Sequence, residues 1–131
     1  MDPTFLELDE VLQLHRHQIR TYGGRPGVRD VSLLQSALEM PRSTFGGQFL
    51  HDDLFSMAAA YQFHITQNHP FIDGNKRVGL AATLLFLSYN GLKLSANEDA
   101  LTELVLGVAE GKVEKAEIAE FLRTNSLERE E

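Results

Sequence analysis

Apolar residues in this chain recur mainly at the three- and four-residue intervals that place them on one face of an α-helix. Glycine, proline and asparagine, which favour turns and helix ends, separate the segments that have this pattern. The residues best suited to cap the first five predicted helices are Asp9, Asp30, Asp52 or Asp53, Asn75 and Asn97. A sixth helix is predicted over residues 113–123, so the pattern favours an all-α, mainly helical fold.

Two of the predicted helices have distinctive apolar patterns. The inner face of the first consists of Val11, Leu12, His15, Ile19 and Tyr22. The pair Gly23-Gly24 is expected to end this helix. The fourth helix is apolar almost all round over residues 78–87, which is typical of a buried central helix.

The least helical part of the pattern lies at residues 42–50. This segment predicts a short β-hairpin with Gly46 and Gly47 at its turn. At the other end of the chain, the polar residues 126–131 are expected to fray. We therefore predict one domain across residues 1–131, with its core over about residues 6–125.

Composition and charge narrow the function classes. The chain has 131 residues, of which 43% are hydrophobic and 24% charged, values that suit one folded domain. Its net charge of −7 argues against direct binding of nucleic acid, which favours a basic surface. The arginines Arg16, Arg20, Arg25 and Arg29 lie in a stretch without acidic residues, and we interpret them first as a solvated face.

The chain contains no cysteine, so the fold cannot depend on disulfides or cysteine-ligated zinc. It has no apolar run of membrane-spanning length, and its N-terminus lacks the pattern of a secretory signal. From the sequence alone we expect a cytoplasmic protein without membrane contact.

Candidate chemistry is concentrated in the turn before the apolar fourth helix. The first turn of a helix presents unpaired N–H groups that bind anions, and Gly74 lets a ligand approach them. Lys76 and Arg77 add positive charge there. Asp73 is a hard oxygen donor suited to magnesium, and His69 has a side chain suited to a general base. Together these groups predict a phosphoryl-transfer site.

Each of these residues also has a structural interpretation. His69 could end the preceding helix, Asp73 could form a turn, and Asn75 could cap the next helix. Taken singly, these interpretations are the more common ones. The conjunction favours chemistry, because a basic pair at a helix N-terminus opposes the helix dipole unless an anion binds.

Two other phosphate- or metal-binding patterns fit this stretch less well. A Walker-type loop is excluded, because its glycine spacing and preceding strand are both missing. A zinc site made by His64, His69 and Asp73 is conceivable by residue type. The nearby basic pair and the absence of a His-x-x-Glu-His pattern disfavour it.

The stretch from His69 to Arg77 resembles the Fic motif, His-x-Phe-x-Asp/Glu-Gly-Asn-Gly-Arg-x-x-Arg. The matching residues are His69, Phe71, Asp73, Gly74, Asn75 and Arg77. Residues 22–27, 84–87 and 90–91 resemble the death-on-curing (Doc) branch of the Fic/Doc family, the toxins of toxin–antitoxin pairs. The resemblance covers about residues 6–125. It implies a Fic/Doc-like helical domain and an ATP-dependent enzyme.

Two departures from the motif bear on the reaction. Lys76 stands where the Fic pattern has glycine, and Leu80 where it has a second arginine. Both resemble the Doc branch, so the resemblance implies transfer of the ATP γ-phosphate to a Ser or Thr hydroxyl. Gly74 is alanine in some Doc proteins, which leaves protein adenylylation open as an alternative. A catalytically silent binding module with the same fold is the second alternative.

The resemblance also implies a role for each motif residue. His69 takes the hydroxyl proton, Asp73 holds Mg²⁺, and Arg77 neutralises developing charge. Gly74, Asn75, Lys76 and Arg77 bind phosphate, and Phe71 anchors the loop. The implied flap, which would dock the target protein, consists of Ser43, Thr44, Phe45, Gly46 and Gly47.

Partners follow from the same resemblance. The implied target is translation elongation factor Tu, whose modification would arrest protein synthesis. Glu110-Gly111 has Leu106 where a self-inhibiting Fic helix has Ser or Thr, so inhibition is expected from a separate antitoxin. The basic stretch around Arg16 and Arg20 is a candidate part of the groove that would receive the antitoxin's C-terminal helix.

Overall fold

A computed structural model describes residues 2–129, which form six α-helices and two short antiparallel strand pairs. The helices are α1 (Leu8–Tyr22), α2 (Val31–Glu39), α3 (Leu54–Asn68), α4 (Asn75–Tyr89), α5 (Glu98–Ala109) and α6 (Lys115–Asn125). The strands are β1 (Thr44–Phe45), β2 (Gln48–Phe49), β3 (Leu92–Leu94) and β4 (Ser126–Glu128). The expected mainly helical fold is confirmed.

The core forms around α3, which packs against α2, α4 and α6. Its residues 57–62 are all buried, and three of them are alanines that let neighbouring helices approach closely. The crossing with α4 is tightest at Gly79, where an added Cβ would lie 3.0 Å from Thr66 Oγ1 and 3.3 Å from the Gln62 carbonyl oxygen. This close crossing fixes the two helices that flank the candidate site.

Helix α4 is buried on one side only, so the prediction of burial all round is wrong. Val78, Ala82 and Phe86 face the core, while Leu80 and Leu84 are only half-buried. The half-buried side, which also includes Ala81 and Leu85, leaves an apolar strip along the helix. An apolar pattern therefore did not distinguish a central helix from one with a partly uncovered face.

The predicted helix caps are mostly confirmed. The side chains of Asp30, Asp53 and Asn97 accept backbone N–H groups at the starts of α2, α3 and α5. The cap predicted at Asp9 is wrong. The N-cap is Glu7, two residues earlier, because in a capping box the Glu7 carboxylate accepts the Glu10 backbone N–H and the Glu10 carboxylate accepts the Glu7 backbone N–H.

The hairpin is confirmed, with Thr44 paired to Phe49 and Phe45 paired to Gln48 around a Gly46-Gly47 turn. The predicted fraying of residues 126–131 is wrong for residues 126–128, which pair with β3. Residues 130 and 131 lie outside the described part of the chain. No helix within residues 2–129 is long and apolar enough to span a membrane.

Candidate active site

The loop that joins α3 to α4 begins at His69, which is the C-terminal cap of α3. Its backbone lies in the left-handed region, with φ 52° and ψ 53°, and its N–H donates to the Ile65 carbonyl. A side-chain-bearing residue adopts this conformation rarely, and such strain concentrates at functional sites. The structural and the chemical interpretations of His69 are thus compatible in one residue.

The Asn75 side chain ties this loop together. It is only 5% exposed, and its Oδ1 accepts the Phe71 N–H at 2.9 Å while its Nδ2 donates to the Phe71 carbonyl at 3.0 Å. Nδ2 also lies 3.2 Å from His69 Nδ1, so Nε2 is the ring nitrogen of His69 without a protein partner among residues 2–129. The prediction that Asn75 caps α4 is wrong, because the N-cap is Gly74.

Asp73 is held as a carboxylate at the centre of the loop. Its Oδ2 accepts the Arg25 backbone N–H at 3.1 Å, and its Oδ1 accepts the Gly74 N–H at 2.9 Å. These two hydrogen bonds, followed by the charges of Arg77 and Arg25, lower the pKa of the Asp73 carboxyl below its ordinary value. The site therefore presents a negatively charged oxygen donor at neutral pH.

The first turn of α4 has backbone N–H groups to offer a ligand. Within residues 2–129, the N–H groups of Asn75, Lys76 and Arg77 have no protein acceptor, and the first intrahelical bond is from Val78 to Gly74. Gly74 has φ 81°, a conformation that turns the loop sharply into the helix. Such amides at a helix start form an anion site.

One cavity of about 550 Å³ collects the candidate residues. Its lining consists of Thr66, His69, Asp73, Gly74, Asn75, Lys76, Arg77 and Ala109. The structure therefore brings together the candidate base, the candidate metal ligand and the free amides. Phe71, in contrast, is fully buried beneath the loop, as expected of an anchor.

The two basic side chains of the motif differ in their surroundings. Lys76 is exposed at the edge of the cavity. Arg77 is half-buried and turns toward the end of α1, where it donates to the carbonyls of Gln18 at 3.4 Å and Gly23 at 3.2 Å. It also lies 5.6 Å above the centre of the Tyr22 ring. Arg77 thus has a structural role that the motif alone did not indicate.

Residues 23–30, between α1 and α2, run along the loop and hold it by its backbone. The N–H groups of Arg29 and Asp30 both donate to the Pro70 carbonyl, and the Ile72 N–H donates to the Gly27 carbonyl. The Arg29 guanidinium donates to the carbonyls of His69 at 2.8 Å and Asn68 at 3.1 Å. Arg16, Arg20, Arg25 and Arg29 are all exposed, as a solvated face predicts, but Arg29 also holds the backbone of the loop.

The predicted flap is an exposed hairpin that adds no side chain to this cavity within the described residues. Phe45, at its turn, is 83% exposed, and both glycines have positive φ. The hairpin is anchored by the Ser43 hydroxyl, which donates to the Glu39 carbonyl, and by the Leu50 N–H, which donates to the Ser43 carbonyl.

The zinc alternative is wrong for the described residues, which contain no cluster of three metal-binding side chains. His64 lies elsewhere, with its Nε2 at 2.9 Å from Lys115 Nζ, and His51 Nε2 lies 3.2 Å from the same nitrogen. Burial, followed by the Lys115 charge, lowers the pKa of His64 to about 4. His64 therefore belongs to a separate, structural cluster.

Several contributors to the site were missed from the sequence. Thr66 and Ala109 line the cavity, and His15 donates from Nε2 to the Asp73 carbonyl. Thr66 gave a weak signal, as a polar residue one helical turn before His69 and on the same face as Gln62. His15 gave a partial signal, as the one histidine on the inner face predicted for the first helix, but the sequence did not show that it contacts the loop. Ala109 gave no signal, because it reaches the loop from a distant part of the chain.

Comparison with known proteins adds independent information. A family model described as the Fic/DOC family matches residues 5–87. A protein named "Protein kinase doc", from Escherichia phage P1, is 31% identical over 115 residues, which are 88% of this chain and 90% of that protein. A protein named "Toxin Doc", from Mycolicibacterium smegmatis, is 40% identical over 78 residues, which are 60% of each chain.

Proposed function

This chain belongs to the Fic/DOC family, and we propose that it is a toxin that transfers the γ-phosphoryl group of ATP to a Ser or Thr hydroxyl of a target protein. The observation that carries the proposal is the single cavity lined by His69, Asp73 and the first turn of α4. The names of the two relatives, a kinase and a toxin, support the reaction class and the biological role.

The residues present fit Mg²⁺ bound together with a nucleotide. Asp73 supplies a hard carboxylate oxygen beside the free amides of Lys76 and Arg77, and Mg²⁺ commonly binds one or two carboxylates plus phosphate oxygens. The low pKa of Asp73 keeps this ligand charged at neutral pH. When bound, Mg²⁺ would neutralise charge on the phosphate oxygens.

The chain's own residues supply the remaining chemistry. The amides of residues 75–77 and the Lys76 side chain bind phosphate oxygens, and Arg77 adds charge at the same end of the helix. His69 accepts the proton of the target hydroxyl as its oxygen bonds to the γ-phosphorus and ADP leaves. Each transfer thus yields a phosphorylated protein, ADP and one proton.

Lys76 and Leu80 favour phosphoryl over adenylyl transfer. Lys76 brings a charged side chain to the cavity edge where the Fic pattern has glycine, and Leu80 replaces the second arginine of that pattern. Leu80 lines an adjoining cavity of about 490 Å³ together with Lys76 and Arg77. Because residue 80 is leucine, this cavity receives no second guanidinium from that position.

Parallel reactions with ATP labelled at the α or the γ phosphorus test the reaction class. We expect label on the target protein only from the γ position, and none with the His69→Ala variant. Label from the α position would instead establish the adenylyltransferase alternative, which Gly74 keeps open.

For the target, we propose elongation factor Tu, docked on the hairpin of Ser43, Thr44, Phe45, Gly46 and Gly47. The exposed strand edge supports docking by addition of a strand, and the exposed Phe45 ring offers an apolar contact. Purified elongation factor Tu should therefore be labelled by the wild type but only weakly by Phe45→Ser. Equal labelling of both would remove the hairpin from the docking proposal.

For the antitoxin, the half-buried strip of α4 supports a bound helix. Two cavities of about 340 and 320 Å³ lie between α1 and α4, and their apolar lining includes Tyr22, Leu80, Ala81, Leu84 and Leu85. Arg16 and Arg20 are exposed on α1 and do not line either cavity. If a small antitoxin is encoded beside this chain, Leu84→Glu should weaken neutralisation by that antitoxin, with growth arrest as the readout.

A further inference from the structure

His15 lies outside the motif, yet its side chain contacts two residues of the loop between α3 and α4, Phe71 and Asp73. It is only 3% exposed, and its ring stacks on Phe71 with centroids 3.9 Å apart and planes inclined by 8°. Its Nε2 lies 2.8 Å from the backbone carbonyl oxygen of Asp73. A carbonyl only accepts hydrogen bonds, so His15 must carry a proton on Nε2.

Ile19, one helical turn after His15, continues this support. A Cβ added at Gly74 would lie 3.3 Å from Ile19 Cδ1, and one added at Gly24 would lie 3.0 Å from the same carbon. The loop and residues 23–30 therefore rest directly on the His15 and Ile19 face of α1. Glycine at both positions permits this close approach.

We infer that His15 is a positioning residue, whose Nε2–H bond to the Asp73 carbonyl sets the orientation of the Asp73 carboxylate toward the bound metal–nucleotide. That a metal–nucleotide binds here rests on the proposed function, whereas the contacts of His15 with the loop do not. Asp73 is fixed from three directions: His15 holds its carbonyl, while Arg25 and Gly74 hold its carboxylate. Groups that orient a metal ligand in this way commonly affect metal affinity by about 10- to 100-fold.

Two substitutions separate the hydrogen bond of His15 from its ring. His15→Gln places an amide N–H where Nε2 lies but removes the aromatic face. His15→Phe keeps a ring to stack on Phe71 but removes the donor. His17, which is exposed on the same helix, provides matched controls as His17→Gln and His17→Phe.

The first readout needs no nucleotide. In the ¹⁵N-labelled chain we expect histidine NMR spectra to report the Nε2–H form of His15. The Gly74 N–H donates to the Asp73 carboxylate, which the His15 hydrogen bond to the Asp73 carbonyl helps to position. We therefore expect His15→Phe, which loses that bond, to speed hydrogen exchange of the Gly74 amide by about tenfold. His15→Gln should leave this exchange close to that of the wild type.

The second readout is the affinity of Mn²⁺, as a paramagnetic substitute for Mg²⁺, for the chain saturated with a non-hydrolysable ATP analogue. We expect about tenfold weaker binding for His15→Phe and near wild-type binding for His15→Gln. If His15→Phe does not fold, His15→Asn takes its place, because its amide is too short to reach the Asp73 carbonyl.

Two results would overturn the inference. One is a folded His15→Phe with wild-type Gly74 exchange and wild-type Mn²⁺ affinity. The other is equal impairment of His15→Gln and His15→Phe, which would make the ring rather than the donor responsible. If the wild type binds no metal–nucleotide at all, the proposed function fails, and the exchange measurement alone decides the role of His15.

Discussion

His69 occupies the left-handed region of backbone conformation at the end of α3, which costs a side-chain-bearing residue about 1–3 kcal/mol. Glycine would adopt this conformation without that cost. A position that only ends a helix would favour glycine or asparagine. The imidazole is thus present at the expense of stability, which supports a chemical role for it.

Two substitutions at this position should separate activity from stability. His69→Ala and His69→Gly should both lose about 10²–10⁴ in the proposed phosphoryl-transfer rate, because each removes the proposed general base. His69→Gly should nevertheless be about 1 kcal/mol more stable than His69→Ala, because alanine retains the backbone strain. Labelled-ATP assays and urea unfolding measure the two effects.

Growth arrest on expression gives the matching cellular readout for the same variants. If the His69→Ala variant arrests growth as strongly as the wild type, the silent binding module becomes the better interpretation. Exposed His17 again provides a control, because His17→Ala should keep wild-type catalysis in vitro.

Arg29 illustrates a residue whose role depends on distant contacts. Its guanidinium bonds the carbonyls of Asn68 and His69, so it stabilises the end of α3 and the backbone of the candidate base together. We expect Arg29→Met to lower the free energy of unfolding by about 1 kcal/mol and also to reduce the transfer rate. Arg16→Met, at an exposed site on α1, should change neither.

At the scale of elements, α6 is joined to α3 through Lys115, which donates to His51 and His64. Both contacts need an unprotonated Nε2, because an ammonium group can only donate. Burial lowers the pKa of His64 from the ordinary histidine value of about 6.5 to about 4, and burial also lowers the pKa of His51. The unfolded chain therefore binds protons at these sites more readily than the folded one.

Because the pKa of His64 is lower in the folded chain than in the unfolded chain, we expect the folded chain to lose stability in acid. The contribution of His64 is fully present above about pH 6.5 and declines as the pH falls toward about 4. Urea unfolding at pH 7 and pH 4.5 should show a smaller loss for His64→Gln than for the wild type. Identical pH dependence of the two proteins would contradict the role given to His64.

The pairing of β3 with β4 is expected to contribute to the stability of the fold. A chain that ends at Asn125 would lose this pairing and the bonds of Arg129 to Ser88 and Gly91. We expect its free energy of unfolding to fall by roughly 2 kcal/mol, from a few surface hydrogen bonds. Its transfer rate should persist, because residues 126–129 do not line the cavity. Unchanged stability would support the original expectation of a frayed tail.

Elements were predictable where their signals are local. Asp30 and Asp53 cap helices through hydrogen bonds to residues two or three positions away, and Gly46-Gly47 forms a turn by itself. The β4 strand was missed because its partner lies more than 30 residues earlier, and a strand of three residues is too short to show a periodicity. The half-buried face of α4 was also not predictable, because which side of an apolar helix is covered depends on distant elements of the chain.

At the scale of the whole molecule, the proposed phosphate site lies in a chain of net charge −7. The free amides of α4 and the side chains of Lys76 and Arg77 set the local field, so the total charge does not decide which ligand binds. The motif residues of this site could be named from the sequence. Their support by His15, Arg25 and Arg29 could not, because it depends on packing between segments about 40 to 60 residues apart.

A crystal structure of this chain with Mg²⁺ and a non-hydrolysable ATP analogue tests the central claim most directly. We expect phosphate oxygens to accept the N–H groups of residues 75–77, an Asp73 carboxylate oxygen to lie about 2.0–2.1 Å from Mg²⁺, and His69 to face the γ-phosphate. Triphosphate bound elsewhere, or Asp73 and His69 turned away from it, would contradict the proposed chemistry.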